Sequence, residues 1–263
     1  MTAASPGPAE SPDPLQSQFQ RDGFVVLREF LPADQFLELR RELERYIRDV
    51  VPTLHDSHAF YEDRARPETL KQLQHMSVDP YFAAYVDHPA WRGLAARLLG
   101  EPVTPISAAE WFNKPAGTEH PTPAHQDNYY FNLEPAQVLT LWLALEDVDE
   151  ENGCLRYVPG SHHHGRLAHN ASRVLGFSQG LADFSEELRA REVAVPLHAN
   201  DLVAHHGWTI HRAEPNRSAV RHRPSFAIAY RAVRCRVDEQ ASQAYRERLK
   251  QQHEALGLAT DNR

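Results

Sequence analysis

Residues 138–161, VLTLWLALEDVDEENGCLRYVPGS, contain the pattern that decides the fold. Val138–Leu145 is an apolar run of strand length, and Cys154–Val158 is a second. Between the two runs, Asn152-Gly153 is a dipeptide that favours a tight β-hairpin turn. The stretch therefore predicts short antiparallel strands joined by turns.

Short apolar runs of strand length occur over most of the chain. Further apolar runs that predict strands are Gly23–Arg28, Ile106–Asn113, Val193–Leu197, Leu202–His206 and Ser225–Val233. Before most of them, an apolar stripe predicts a helix from Pro32 to Val50, and Pro89–Leu99 predicts a second helix that ends at Gly100. The expected fold is mainly β with N-terminal helices packed on a double-stranded β-helix, a cupin-like jelly roll.

The domain organisation follows from composition. Residues 1–14 are rich in proline and small residues, which predicts a disordered tail. Residues 15–237 are expected to form a single domain, in which the irregular stretch at about 161–192 is a lid. Residues 238–263 are polar and predict a C-terminal tail that is helical in part.

Composition excludes several function classes. The 263 residues include 28 Lys and Arg against 36 Asp and Glu, a net charge of −8, which argues against a nucleic-acid partner. No apolar run approaches the roughly 20 residues of a membrane span, and no secretory signal is present, so we expect a cytoplasmic protein that does not bind membranes. The two cysteines give no disulfide framework. The 16 histidines are the unusual feature, because histidine is the commonest metal ligand.

Three residues form the candidate metal site. His125 and Asp127 stand two residues apart in AHQDNYYF, so on a strand both side chains would point to one face. His211, in GWTIHRAEPNRS, would complete the set from a distant strand. Two imidazoles and one carboxylate with open positions form the facial triad of non-haem Fe(II) oxygenases.

An arginine downstream of His211 strengthens this interpretation. Alternation places Arg223 with Ser225, Ala227 and Ala229 on one strand face. Small residues with an arginine at one end suit a carboxylate, which a guanidinium binds in a two-pronged fork. Arg221 has the same parity and is the reserve candidate.

With these residues in view, the sequence resembles the phytanoyl-CoA dioxygenase family of Fe(II)/2-oxoglutarate oxygenases. The resemblance covers about residues 19–235, in the order RDGFVVLREFL, HPAWRGLAARLLGEPV, HQD, TLWLALEDVDEENGCLRYVPGSH and HRAEPNRS. It implies that His125, Asp127 and His211 hold iron and that Arg223 binds the 5-carboxylate of 2-oxoglutarate. Ala213 departs from the pattern, because many members have a serine there.

Other residues are expected around this centre. The candidate cosubstrate contacts are Trp142, Thr140 and Asn113, although a core tryptophan and a polar strand end explain Trp142 and Asn113 equally simply. The candidate substrate contacts are Asn128, Tyr129, Arg156, Arg166 and Gln179. His162, His163 and His164 predict a solvated loop, and His205 and His206 could orient His211.

The resemblance implies an Fe(II)-, 2-oxoglutarate- and O2-dependent hydroxylase that acts on an unactivated C–H bond and releases succinate and CO2. Asp127 favours hydroxylation, because related halogenases have a small residue at that position. The expected substrate is a small polar or anionic metabolite, with organophosphonates such as 2-aminoethylphosphonate as the specific candidate. The alternatives are a cupin-like metal isomerase or hydrolase, and a non-catalytic module that binds small molecules.

Overall fold

The computed structural model describes residues 13–55, 57–174 and 177–255. Its strands are β1 (Phe24–Leu27), β2 (Ala59–Tyr61), β3 (Leu70–Leu73), β4 (Val103–Pro105), β5 (Glu110–Phe112), β6 (Thr122–His125), β7 (Leu133–Glu134), β8 (Val138–Ala144), β9 (Leu155–Tyr157), β10 (His169–Val174), β11 (Phe177–Leu181), β12 (Val193–Val195), β13 (Leu202–His206), β14 (His211–Ala213), β15 (Ser225–Ala232) and β16 (Arg236–Val237). The α-helices are α1 (Pro14–Asp22), α2 (Ala33–Arg45), α3 (Pro80–Tyr85), α4 (Pro89–Leu99), α5 (Asn128–Phe131), α6 (Glu186–Ala190) and α7 (Glu239–Ala255).

Two antiparallel sheets form the body of the molecule. The larger has the order β1-β13-β8-β15-β5-β3-β2, with β4 also paired to β15. The smaller has the order β12-β9-β14-β6, and two short pairs, β10-β11 and β7-β16, lie outside both. The prediction of a mainly β fold with helices before most strands is confirmed.

Strand β8 shows how the sequence sets the layers. It pairs with β13 on one side and β15 on the other, so it lies inside the larger sheet. Leu139, Leu141 and Leu143 face a core shared with the helices, whereas Trp142 and Ala144 pack in a second core with residues of the smaller sheet. The alternation read from the sequence therefore separates a helical side from a side that faces the other sheet.

The N-terminal helices cover the larger sheet. Phe36, Leu39 and Leu43 form the buried stripe of α2, which continues as a π-helical turn over Tyr46–Val50. Helix α4 has the predicted bounds and ends at Gly100, whose φ of 73° is the left-handed conformation that glycine adopts readily. No helix of the described ranges is long and apolar enough to cross a membrane.

Several boundaries differ from the predictions. The Ile106–Asn113 run forms a strand only at β5, and the irregular stretch 161–192 contains a 3-10 turn (Ser161–His164), the β10-β11 hairpin and α6. The predicted tail lies outside the described residues up to residue 12, but Asp13 caps α1 by accepting from the Leu15 amide. At the other end, α7 occupies most of the polar C-terminal segment, and residues 256–263 lie outside the described part.

Candidate active site

The three predicted metal ligands converge where β6 and β14 pair. His125 ends β6, His211 begins β14, and the two are directly opposite in the register, with ring centroids 4.2 Å apart. The prediction that Asp127 lies on the same strand as His125 is wrong. Its φ of −60° and ψ of −40° place it in the turn that opens α5. The turn nevertheless places the Asp127 carboxylate beside the two imidazoles, so that ligand atoms of all three residues lie within 4.8 Å of one another.

Backbone carbonyls fix both imidazoles. His125 Nδ1 lies 2.8 Å from the Pro123 carbonyl oxygen, and His211 Nδ1 lies 3.0 Å from that of Thr209. A carbonyl only accepts, so each Nδ1 carries the proton and each Nε2 presents a lone pair. Both Nε2 atoms lie 3.4 Å from Asp127 Oδ1. Burial, reinforced by the neighbouring His125 and His205, holds the pKa of His211 well below its ordinary value, which keeps this imidazole neutral.

The two oxygens of Asp127 have different surroundings. Oδ2 accepts from Thr140 Oγ1 at 2.6 Å and from His205 Nε2 at 2.9 Å, and the Tyr157 hydroxyl lies 3.0 Å from His205 Nδ1. Burial alone would raise the pKa of Asp127, but the imidazoles of His211, His125 and His205 hold it well below its ordinary value. The carboxylate is therefore ionised, with Oδ1 directed at the two histidines.

This donor set fits a divalent iron ion. Two imidazole nitrogens and one carboxylate oxygen, with no fourth ligand grouped with them among the described residues, form a two-histidine-one-carboxylate face. Within the described ranges, no other group of three His, Cys, Asp or Glu side chains brings its ligand atoms this close. Hydrogen bonds to the outer atoms of all three ligands fix their orientation, as is typical of metal sites.

A pocket beside the ligands, called the cosubstrate pocket for the role proposed below, contains three buried basic side chains, Lys71, Lys114 and Arg223, of which Lys71 is paired with Glu62. Its volume is about 830 Å³ including the open mouth, and it is lined by Asn113, Lys114, Trp142 and Arg223 together with His125, Asp127 and His211. Neither Lys114 nor Arg223 has a salt bridge to any residue that the structure describes. The pocket is therefore electrically suited to an anion.

The Arg223 guanidinium is buried and has fewer internal hydrogen bonds than its donors allow. It is 4% exposed, and its Nε and Nη1 atoms are buried without a hydrogen-bond partner in the described structure. Its guanidinium carbon lies 5.2 Å from the centre of the Trp142 ring. Burial lowers the pKa of Arg223 to about 10, yet the side chain stays charged at neutral pH.

The comparisons with known proteins bear on this site. Residues 19–224 match the phytanoyl-CoA dioxygenase (PhyH) family. The chain belongs to that family. It is 28% identical over 251 residues to phytanoyl-CoA dioxygenase domain-containing protein 1 of Bos taurus, covering 79% of this chain and 86% of the relative.

Two solved structures are similar in fold. The non-heme alpha ketoglutarate dependent carbocyclase SnoK from nogalamycin biosynthesis has a TM-score of 0.67 at 26% identity and covers 88% of each chain. The epimerase SnoN, in complex with Fe3+, alpha ketoglutarate and nogalamycin RO, has a TM-score of 0.67 at 24% identity, covering 84% of this chain and 83% of SnoN. Membership of the PhyH family confirms the prediction that this protein is an Fe(II)/2-oxoglutarate-dependent oxygenase.

For this PhyH-family enzyme, the structure separates the two candidate arginines. Arg221 lies at the surface and is paired with Asp149 at 2.8 Å and with Glu151. Arg223, two residues later, is the one that lines the cosubstrate pocket. Asn113, which follows β5, also lines the cosubstrate pocket. Its Oδ1 accepts from the Arg223 backbone amide at 3.2 Å and so fixes the backbone just before β15.

Of the neighbouring pair Asn113 and Lys114, only Asn113 was predicted as a cosubstrate contact, yet Lys114 also lines the cosubstrate pocket. Lys114 is buried, its Nζ donates to the His120 carbonyl at 3.1 Å, and burial together with Arg223 and Lys71 holds its pKa well below the ordinary value. A lysine that follows a strand cannot be distinguished in sequence from a surface lysine. Only its position beside the buried Arg223 in the folded chain marks Lys114 as a pocket residue. Thr140 does line the pocket as expected, but its hydroxyl is engaged by Asp127.

The five predicted substrate contacts do not meet at the ligands. Asn128 bonds the Leu133 backbone, Tyr129 stacks on His169 with centroids 3.9 Å apart, and Gln179 accepts the Tyr130 hydroxyl on its carbonyl. Arg156 pairs with Glu150 and Glu192, and Arg166 covers the Tyr129 ring at 4.7 Å. None of the five lines either pocket that reaches the metal ligands.

A second pocket, called the substrate pocket for the role proposed below, also reaches His125 and Asp127. It has a volume of about 740 Å³ including its mouth and is lined by Gln72, Gln74, Ser107, Ala108, Glu110, Phe112, His125, Asp127, Tyr130, Phe131, Thr140, Ala227 and Ala229. Burial raises the pKa of Glu110 to about 7, against the effect of the Gln72 amide, with Asp127 adding to the rise. His205, predicted to orient His211, lies against it with ring centroids 4.3 Å apart and also donates to Asp127.

Proposed function

We propose that this enzyme hydroxylates an unactivated C–H bond of a small polar metabolite. One oxygen atom of O2 enters the substrate and the other enters succinate, while 2-oxoglutarate loses CO2. The observation that carries the proposal is the pairing of the His125–Asp127–His211 face with a buried, unpartnered arginine in one pocket. Iron bound at this face would supply the oxygen activation.

The roles of the protein groups follow from their surroundings. His125 and His211 each offer Nε2, and Asp127 offers Oδ1, because their remaining polar atoms are occupied. Arg223 would bind the distal carboxylate of 2-oxoglutarate, since its Nε and Nη1 atoms lack partners in the described structure. Lys114 adds a second basic group, and Trp142 packs against the guanidinium and excludes water.

The fold supports the same proposal. The two sheets that face each other across the Trp142 side of β8 are what a double-stranded β-helix provides, and we assign the core of residues 15–237 to that architecture as one domain. Because similar folds include an epimerase and a carbocyclase, the fold does not determine the outcome, and hydroxylation is the choice favoured by the intact carboxylate of Asp127.

The substrate is left at the level of a small polar metabolite. An organophosphonate would need cations to hold its phosphonate, and among the described residues that line the substrate pocket none is Lys or Arg. The arginines expected to supply them are engaged elsewhere, Arg156 with glutamates and Arg166 with Tyr129 and Asn132.

An anaerobic titration tests the proposal. Addition of Fe(II) and then 2-oxoglutarate should produce the weak visible charge-transfer band of the chelate. The band should be lost in His211→Ala and retained in the matched control His198→Ala, because His198 is exposed and contacts only Asp147 among the ion pairs of the described chain. A folded protein without the band, or metal-dependent turnover that ignores 2-oxoglutarate, would favour the isomerase or hydrolase alternative instead.

A further inference from the structure

The substrate pocket contains a carboxylate that the proposed reaction does not use. Glu110 is the only charged side chain among its described lining residues apart from the metal ligands themselves. The cosubstrate pocket, which shares His125 and Asp127 with the substrate pocket, contains Lys114 and Arg223. The two pockets at one metal-ligand set therefore offer different groups, an acid in one and unpaired basic side chains in the other.

The strand geometry directs Glu110 into this pocket. Trp111, its neighbour on β5, is buried in the core on the helical side, so Glu110 and Phe112 point to the opposite face. Glu110 lies opposite Ala227 in the register with β15, and Ala229 follows on the same face of β15. These small residues leave the space beside the carboxylate open.

The carboxylate has little compensation from the protein. Its hydrogen bond in the described structure is a long one, 3.5 Å, from the Gln72 amide to Oε2. An ionised carboxylate offers about four acceptor positions. A half-buried carboxylate with one weak donor is costly when ionised unless a positive group approaches it.

The remaining walls suit a cation with a hydrocarbon body. Tyr130 and Phe131 lie across the pocket, and the Tyr130 hydroxyl is engaged by the Gln179 carbonyl at 2.7 Å. Tyr130 therefore presents its ring rather than its hydroxyl. Aromatic faces attract ammonium and guanidinium groups and also pack against their carbon chains.

We propose that Glu110 selects a substrate with a positively charged nitrogen and holds that nitrogen in the substrate pocket beside the metal ligands. The inference rests on the proposed function, because it takes this pocket as the place where the oxidised molecule binds. It replaces an anionic substrate with a cationic or zwitterionic one.

The test uses the full chain loaded with Mn(II) and saturating 2-oxoglutarate. With Mn(II) in place of iron, the protein should bind a small molecule without oxidising it. Paramagnetic relaxation of a small molecule's protons then reports binding beside the metal, even when the affinity is weak. Two probe pairs differ only in charge: choline against 3,3-dimethyl-1-butanol, and 1,5-diaminopentane against 1,5-pentanediol. The variants are Glu110→Gln, which has the same shape, and Glu187→Gln, an exposed glutamate of α6, as the control.

We expect at least one cationic probe to be relaxed about tenfold or more above its neutral partner, as the loss of a charge-assisted contact implies. That difference should disappear in Glu110→Gln and persist in Glu187→Gln, with 2-oxoglutarate still relaxed in all three proteins. Equal relaxation within both pairs, or an unchanged difference in Glu110→Gln, would overturn the inference and leave the proposed function intact. Failure of Mn(II) to relax 2-oxoglutarate in the wild type would overturn the proposed function and the inference together.

Discussion

Replacement of Arg223 by glutamine should have opposite effects on the ligand-free protein and on cosubstrate binding. In the absence of an anion, Arg223 is a buried cation whose pKa is lowered from 12.5 to about 10. A cation with a lowered pKa in the folded state destabilises that state at every pH below about 10, and the cost fades as the pH rises toward 12.5. At pH 7 the shift corresponds to about 3 kcal/mol. Arg223→Gln should therefore raise the free energy of unfolding of the ligand-free protein by up to that amount.

The same substitution should weaken 2-oxoglutarate binding. Two nitrogens of Arg223 lack partners, so two charge-assisted hydrogen bonds to a carboxylate are available. Such bonds contribute about 1.5–3 kcal/mol each. Their loss should raise the dissociation constant between about a hundredfold and about ten-thousandfold, at about 1.4 kcal/mol per tenfold.

The assay combines calorimetric titration of 2-oxoglutarate into the Mn(II)-loaded protein with thermal melts of the metal-free protein. Arg221→Gln is the matched control, because Arg221 is a surface residue paired with Asp149 and Glu151. An exposed pair of this kind contributes about 0–1 kcal/mol, so the control should melt slightly lower and bind 2-oxoglutarate normally.

Two results would refute the reasoning. Equal loss of affinity in both variants would show that the pocket does not recognise the cosubstrate through Arg223. A lower melting temperature for metal-free Arg223→Gln than for Arg221→Gln would show that the guanidinium stabilises the fold, so that it is not held for a ligand.

Three further predictions concern the ligands and the substrate pocket. Thr140→Val removes a donor to Asp127 and should lower Mn(II) affinity about 10- to 100-fold in a metal titration; unchanged affinity would contradict the role of that hydrogen bond. Because the pKa of His211 lies well below its ordinary value, Mn(II) affinity should stay nearly constant from pH 8 to about 6, whereas a steep fall beginning near pH 6.5 would contradict it. The raised pKa of Glu110 means that its contribution to stability is present below about pH 4.5 and is lost as the pH rises through 7, so metal-free Glu110→Gln should melt higher than wild type at pH 8 and much closer to it at pH 5; a constant difference would argue against that titration.

The features that the sequence predicted best are those that depend on residues close together in the chain. The alternation along β8 and the bounds of α4 and β13 depend on side-chain period and on an end signal such as Gly100, and all three match the structure. The metal ligands were also recoverable, although the reason given for His125 and Asp127 was wrong, since a turn and not strand alternation brings Asp127 back.

What the sequence did not predict depends on contacts between distant segments. Lys114 becomes informative only when β5 and the segment before β15 bring it beside Arg223. The arginines expected to clamp a substrate have the right charge, but Arg156 pairs with Glu150 and also with Glu192, which is thirty-six residues away in sequence, and the second contact cannot be read from the residues around Arg156. Charge in a sequence predicts a binding site only after its internal partners are known.

Uncompensated charge is therefore the most informative property of this site. The pKa of Arg223 is shifted by burial and, in the opposite direction, by Cys154 and Tyr157, whereas that of Glu110 is shifted by burial, Gln72 and Asp127. Glu110 and Arg223 line different pockets, and the described ion pairs include no pair between them. In the ionised state each is costly to the ligand-free fold unless a partner of opposite sign approaches it. An acid beside Arg223 and a cation beside Glu110 would provide those partners, and His125 and Asp127 line both pockets.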